Sequence, residues 1–415
     1  MFPPSAGPTL RRADYAGALL VFAAAFAAYY ASAELVGSRG APQHAYFNHL
    51  AAAFLEGRLD LPAPPGHHDL SPYRDRWYVP FPPLPALMLL PFVTTLGLHA
   101  VSTVLFSITL GAASAALVWL LLAALARRDW LRLEAPDRGW LTLMFALGTV
   151  HWQVALDGNV WFLGHVCTVF WMLLATLLAV TPGHPLPAGA ALACAMLGRP
   201  NLLLLTPLLV GIAAMHLRRA DNPERLDAPR LSRWAALSAL PMAAVVAALM
   251  LYNAARFENP LDFGYTRQRV DADVMGDLHT YGQFSLHHLR RNVRTLLFGS
   301  AIWEPGAWLP RPDDRGMSIL LTTPAFLAIA MARRRDFLTR HAWLALGLLL
   351  VPILLYYNTG WKQFGYRFQL DFVVPLLLLT AISLEPRMRW WFRGLILFGV
   401  LVNAWGVAHW FAKPA

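Results

Sequence analysis

Long apolar runs constrain this chain more than any other feature. Residues 15–36, 101–126, 160–182, 234–254 and 391–411 each approach the ~20 apolar residues that carry a helix across a bilayer core. Hydrocarbon offers no partner to a backbone amide or carbonyl, so each run must satisfy its own polar groups, as a helix does. Only 14% of the 415 residues are charged, against about 25% in an ordinary soluble domain. The expected fold is an all-α polytopic membrane protein of eleven or twelve transmembrane helices. It forms one transmembrane domain over 1–415, with larger outside loops at 37–80 and 255–316.

Arg11 and Arg12 precede the first run as they would in a signal peptide. The run is long and no small-residue cleavage site follows, so it reads as the first membrane helix. Cys167 and Cys194 fall inside apolar segments, where cysteine acts as a small buried hydrophobe. No CxxC or zinc-type spacing is present, which argues against a structural metal of that kind.

The net charge of +10 does not come from one basic tract. That argues against nucleic acid and for membrane topology and contact with anionic lipids. Arginines outnumber acids in the short loops 127–138, 218–233, 333–340 and 385–393, whereas 37–78 carries four of each and 255–315 eight of each. The positive-inside rule puts the first set in the cytoplasm. Starting from a cytoplasmic N-terminus, the outside loops are then 37–78, the turn near 157–159, 255–315 and 356–366. Segment 80–97, with Pro80, Pro82, Pro83, Pro85 and Pro91, is expected to be short, tilted or re-entrant, because proline removes backbone donors.

The first outside loop opens with Gln43–Arg58, whose spacing predicts a short surface helix with Phe47, Leu50, Phe54 and Leu55 on its apolar stripe and His44, Asn48 and Glu56 off it. Asp60-Leu61-Pro62 follows, then His67-His68-Asp69 and the run Trp77-Tyr78-Val79-Pro80-Phe81-Pro82-Pro83-Leu84-Pro85. An interfacial helix, then acids, then an aromatic-Pro-Pro-Leu run leading into the next helix resembles the GT-C superfamily of polyprenyl-phosphate-sugar-dependent glycosyltransferases. Its protein O-mannosyltransferase and aminoarabinose-transferase members are the nearest in kind. Gly198-Arg199-Pro200-Asn201 resembles that family's basic-Pro junction. Tyr252–Tyr265, with Asn253, Arg256-Phe257 and Gly264-Tyr265, resembles a pattern of its bacterial members. Trp361-Lys362-Gln363-Phe364-Gly365-Tyr366-Arg367-Phe368, with Asp371 and Pro375 beyond, resembles the run leading into a late helix. The likeness is diffuse and scattered along the whole chain.

The resemblance implies a GT-C-like bundle and an inverting transfer of sugar from a polyprenyl-phosphate donor to a lipid, glycan or protein hydroxyl on the non-cytoplasmic face. Members commonly carry an acid just after the first helix. Here Gln43-His44 stands near that place, so Asp69 becomes the candidate by its position in the loop. Such a reaction needs a carboxylate to take the acceptor proton, and cations to balance charge on the departing phosphate.

Asp69 is therefore the first candidate for general base or ligand of an optional Mg²⁺ or Mn²⁺, ahead of Asp60, Asp75 and Asp157. A solvated loop acid is the bland alternative for each. Arg199, Lys362, Arg367 and Arg256 are candidates for the donor phosphate, since charge near membrane depth is costly; snorkelling to headgroups is the alternative. His44, Asn48, His67, His68, Tyr265 and Asp371 are further cavity candidates. The His67-His68 pair lacks a third and fourth zinc ligand at recognisable spacing. His151 and His165 read as interhelical packing or hydrogen-bonding partners. A basic amphipathic stretch at Phe284–Leu297 either rests on headgroups or closes over the site.

The other function classes are a lipid-linked-sugar flippase or solute transporter, and a non-catalytic scaffold. A transporter would hold its ionisable groups near mid-helix. High alanine, arginine and tryptophan usage points to a GC-rich bacterial genome and the inner membrane.

Overall fold

The computed structural model describes residues 10–40, 42–181, 183–218, 226–360 and 362–412, without the side chains of 272–274. Trp361, Arg219 and Arg225 lie outside the described residues. The chain is about 68% helical, with almost no sheet. In order it forms α1 (Arg12–Leu35), α2 (Tyr46–Leu55), a hairpin of β1 (Ser71–Tyr73) and β2 (Arg76–Tyr78), α3 (Leu84–Leu96), α4 (Thr103–Arg127), α5 (Ala135–Leu147), α6 (His151–Ala155), α7 (Val160–Val180) and α8 (Pro185–Met196). It continues with α9 (Thr206–His216), α10 (Ala228–Phe257), α11 (Ala272–Tyr281), α12 (Leu289–Phe298), α13 (Ile319–Thr322), α14 (Phe337–Leu355), α15 (Val373–Ser383) and α16 (Trp390–Ala412).

Six of these, α1, α4, α7, α10, α14 and α16, are long and apolar enough to cross a membrane. The remaining apolar sequence is cut into shorter pieces, among them α3, α8 and Pro200–His216. Proline does much of the cutting: it stands at the start of α3, α5, α8, α9 and α10, where a missing amide costs nothing. Segment 80–97 is short as expected. The thirteen residues of α3 rise only about 20 Å, less than the ~30 Å of a hydrocarbon core.

α7 and α4 are the most enclosed of the six and sit at the centre of the main apolar core. Small residues let neighbouring helices close in. A Cβ on Gly189 of α8 would lie 2.1 Å from the Ser238 carbonyl oxygen of α10, and one on Gly211 of α9 would meet the His341 side chain of α14 at 2.4 Å. A second apolar core lies between α2, α3 and the start of α7, built on Phe47, Leu50, Leu89 and Leu163. Phe47 and Leu50 are buried there as the stripe requires, but Leu55 is half exposed and Asn48 is buried.

The arginine-rich loops gather at one end of the bundle. Arg127 pairs with Asp14 at 2.6 Å, Arg334 reaches the Trp130 carbonyl and Glu385, and Arg393 binds Asp137 at 3.0 Å. The segments expected outside meet at the other end, where α1, α10, α14 and α16 finish and α7 begins.

Gly189→Ala should lower thermal stability in detergent by about 1–3 kcal/mol through overpacking. Gly347→Ala, whose added methyl meets nothing within 4 Å, should be neutral or stabilising by up to ~1 kcal/mol. Equal melting temperatures for the two variants would rule out the close approach of α8 and α10.

Candidate functional site

At that second end a cavity of about 610 Å³ lies between helix termini and loops. Its wall takes residues from the 44–47 and 68–69 segments, the start of α7, the junction after α8, the 261–271 and 283–284 segments, and the chain from Pro352 to Phe368. The two large loops are stitched together beside it. The Asp69 amide donates to the Arg269 carbonyl at 2.8 Å and the Arg269 amide to the Leu70 carbonyl at 3.0 Å. The Ser71 hydroxyl donates to the Gly264 carbonyl at 2.8 Å, and the Tyr46 hydroxyl to the His68 carbonyl at 2.8 Å.

This stitching fixes Asp69 in a left-handed backbone conformation, φ 58°, which aspartate tolerates better than most residues. Its side chain is 14% exposed, with Oδ2 accepting the Trp161 indole N–H at 2.6 Å and lying 3.9 Å from His68 Nε2. Burial raises the Asp69 carboxyl above the usual aspartate range, outweighing the pull of His68, Trp161 and Arg367. His44, 5.0 Å from the Trp161 ring, is lowered by burial and by His68.

Asp157 also faces the cavity, in the turn before α7. Its Oδ1 accepts the Asn159 amide at 2.9 Å and Nδ2 at 2.7 Å, and Oδ2 accepts the Trp410 indole at 3.1 Å. Burial raises this carboxyl too. A carboxylate with three donors already on it is better placed to hold the turn against α16 than to accept a proton from a ligand.

The cations occupy other parts of the wall. Arg199 donates Nε to Asp371 Oδ2 at 2.7 Å, and Asn201 Nδ2 reaches the same oxygen at 2.9 Å. Asp371 is fully buried, with His165 Nδ1 at 3.4 Å from its other oxygen. Breaking such a pair by removing one partner costs about 3–5 kcal/mol. Asp371 therefore stands behind the cavity and orients Arg199, whose guanidinium lies 5.3 Å from the Phe368 ring centroid. Arg367 is buried, donates Nη1 to the Gly360 carbonyl at 2.5 Å, and leaves Nε without a partner among the described residues. Lys362 is exposed, at φ 55° and 3.9 Å from Asp271.

No protein-family model, curated protein or solved structure matches this chain.

Asp69, Asp157, Arg199, Lys362, Arg367, His44, His68 and Tyr265 thus share one cavity. The other candidates lie elsewhere. Asp60 pairs with Arg58 at 2.6 Å in a separate surface hollow, and Asp75 is exposed in the hairpin turn. His67 packs on Trp77 with ring centroids 4.3 Å apart. Arg256 is buried, donating to the Val79 carbonyl at 2.7 Å and Asn253 at 2.8 Å, so it ties the end of α10 to the first loop. Asn48 donates to the Val101 carbonyl at 3.4 Å. Asp69 belongs to no group of three converging metal-ligating side chains among the described residues. Trp161, Asn159, Asn201, Tyr356 and Tyr357 line the cavity without having been expected there. Trp161 had a usable signal: it follows Asp157-Gly158-Asn159 at a predicted outer helix start.

Infrared titration of the purified protein should show a carboxyl band, absent in Asp69→Asn, that titrates above the ~3.9 of a free aspartate. Trp161→Phe removes a hydrogen bond to the charged form and should raise that midpoint further. An unchanged midpoint would dissociate Trp161 from Asp69.

Proposed function

We propose that this protein is a membrane glycosyltransferase of GT-C type, using a polyprenyl-phosphate-linked sugar to glycosylate a lipid, glycan or protein hydroxyl. One observation carries the reading: a mostly enclosed carboxylate, Asp69, faces the same cavity as Arg199, Arg367 and Lys362. Asp69 takes the acceptor's hydroxyl proton as the oxygen attacks the anomeric carbon. The bond from that carbon to the phosphate oxygen breaks with inversion, and its electron pair leaves with the polyprenyl phosphate. The three cations stabilise the negative charge that gathers there. Burial keeps Asp69 basic enough for the task, since a raised pKa makes a carboxylate a stronger base.

The apolar part of the wall, with Phe81, Pro82, Phe263, Phe284 and Ile353, suits the first isoprene units. Exposed Leu261 and Phe284 at its rim suit the remainder of the chain. With a cytoplasmic N-terminus in a bacterial inner membrane, the cavity opens on the outer face. A Mg²⁺ or Mn²⁺ ion on Asp69 would take its remaining ligands from substrate phosphate and water. A lipid-linked-sugar flippase or solute transporter is the competing class. The cavity's position at helix ends, not at mid-helix, favours the enzyme.

Purified protein in lipid should transfer labelled sugar from one member of a panel of polyprenyl-phosphate sugars. Asp69→Asn should lower kcat by about 10²–10⁴-fold while donor still binds, and Arg199→Ala should weaken donor binding. Because the base must be unprotonated, the wild-type rate should fall as pH drops through the raised Asp69 pKa. Transfer unaffected by Asp69→Asn would move the base elsewhere, and no transfer from any donor would favour the transporter.

A further inference from the structure

The second large loop carries a group of side chains that the cavity does not use. After α11 the chain turns at Gly282, φ 77°, and comes back through His287 and His288 into α12. Asp277 of α11 is thereby brought against both histidines, and one ligand atom from each of the three lies within 4.8 Å of the others. We propose that Asp277, His287 and His288 bind a divalent transition metal, zinc foremost, that fastens the second loop to the cavity wall.

Two imidazoles and a carboxylate are a donor set that zinc accepts readily, with a fourth position for water. His288 is buried and places Nε2 3.2 Å from the Gly282 carbonyl oxygen. That contact makes Nε2 the protonated nitrogen and leaves the Nδ1 lone pair for a metal, the outer-shell arrangement that orients ligating histidines. His287 is held by a parallel stack on Tyr281, centroids 3.6 Å apart at 8°. Bonds of about 2.0–2.1 Å to a tetrahedral zinc need the three donors closer together than 4.8 Å. Exposed His287 and partly exposed Asp277 can supply that by side-chain rotation.

Arg291 marks the place where a positive charge is wanted. Its guanidinium pairs with Asp277, lies 3.5 Å from His288 Nδ1, and also donates to the Tyr357 carbonyl. A bound metal takes over Asp277 and Nδ1 while Arg291 keeps the Tyr357 carbonyl. Tyr357 lines the cavity. Asn292, beside Arg291 in the chain, donates Nδ2 to the Tyr356 carbonyl at 2.7 Å and the Leu354 carbonyl at 3.0 Å. A metal at the head of α12 therefore stiffens the 354–357 wall without touching the reacting groups.

The test uses untagged full-length protein in detergent, stripped with chelator and titrated with zinc chloride. Wild type should bind one zinc per chain by elemental analysis and gain melting temperature on binding. His287→Ala and Asp277→Asn, both changes at accessible side chains, should each lose the zinc and the gain. His67→Ala/His68→Ala should keep both, which separates this site from the other histidine pair. Arg291→Ala should bind zinc at least as tightly as wild type. No zinc on the wild type would overturn the proposal, as would zinc retained by Asp277→Asn and His287→Ala or lost on removing His67 and His68.

Discussion

Backbone that leaves a helix within or beside a bilayer has to find partners in the protein, and that requirement organises this molecule. At several places where an apolar run is interrupted, backbone amides and carbonyls are met by another interrupted segment. The Tyr357 amide donates to the Gln283 carbonyl at 2.9 Å, the Ser285 amide to the Leu355 carbonyl at 2.9 Å, and the Gln363 amide to the Asp314 carbonyl at 3.0 Å. The Leu84 amide, at the start of α3, finds the Leu197 carbonyl at 3.1 Å. Irregular segments thus collect where other irregular segments are, and the cavity is the space they enclose.

The same logic decides which charges are functional candidates and which are fasteners. Arg256 and Arg367 are both buried near the same end and both leave Nε without a partner among the described residues, yet Arg256 gives its other donors to Val79 and Asn253 and does not line the cavity. Arg367 lines the cavity. Asp157 and Asp69 both line the cavity and differ in the donors they already hold: the first has three on it, the second a single close one from Trp161. A buried charge is tolerated when paired, so the useful observation is how much of its hydrogen-bonding capacity is left.

Much of this was legible beforehand, and for physical reasons. Hydrophobic run length makes membrane helices readable from sequence alone, and arginine bias sorts the loops into two sets. Those sets do separate, Arg127, Arg334 and Arg393 at one end of the bundle and the 37–78, 157–159, 255–315 and 356–366 segments at the other. Helix number was less legible. Hydropathy measures how apolar a stretch is but not whether it runs unbroken, and proline divides several apolar stretches into helices of ten to thirteen residues.

The candidate carboxylate at position 69 followed from its place in a loop, because loops are where an exposed acid has no packing role. What surrounds it did not follow. Asp69 and Trp161 are 92 residues apart, and Arg199 and Asp371 are 172 apart. No local periodicity encodes such distances. The sequence by itself determined that this is a helical protein with several apolar helices long enough to cross a membrane, since burial of apolar length is a local property. Only the tertiary structure decided that Asp60, Asp75, His67 and Arg256 stand apart from Asp69, and that Asp277 meets His287 and His288 across a glycine turn. Those outcomes depend on where backbone partners are found, which is settled by the whole chain at once.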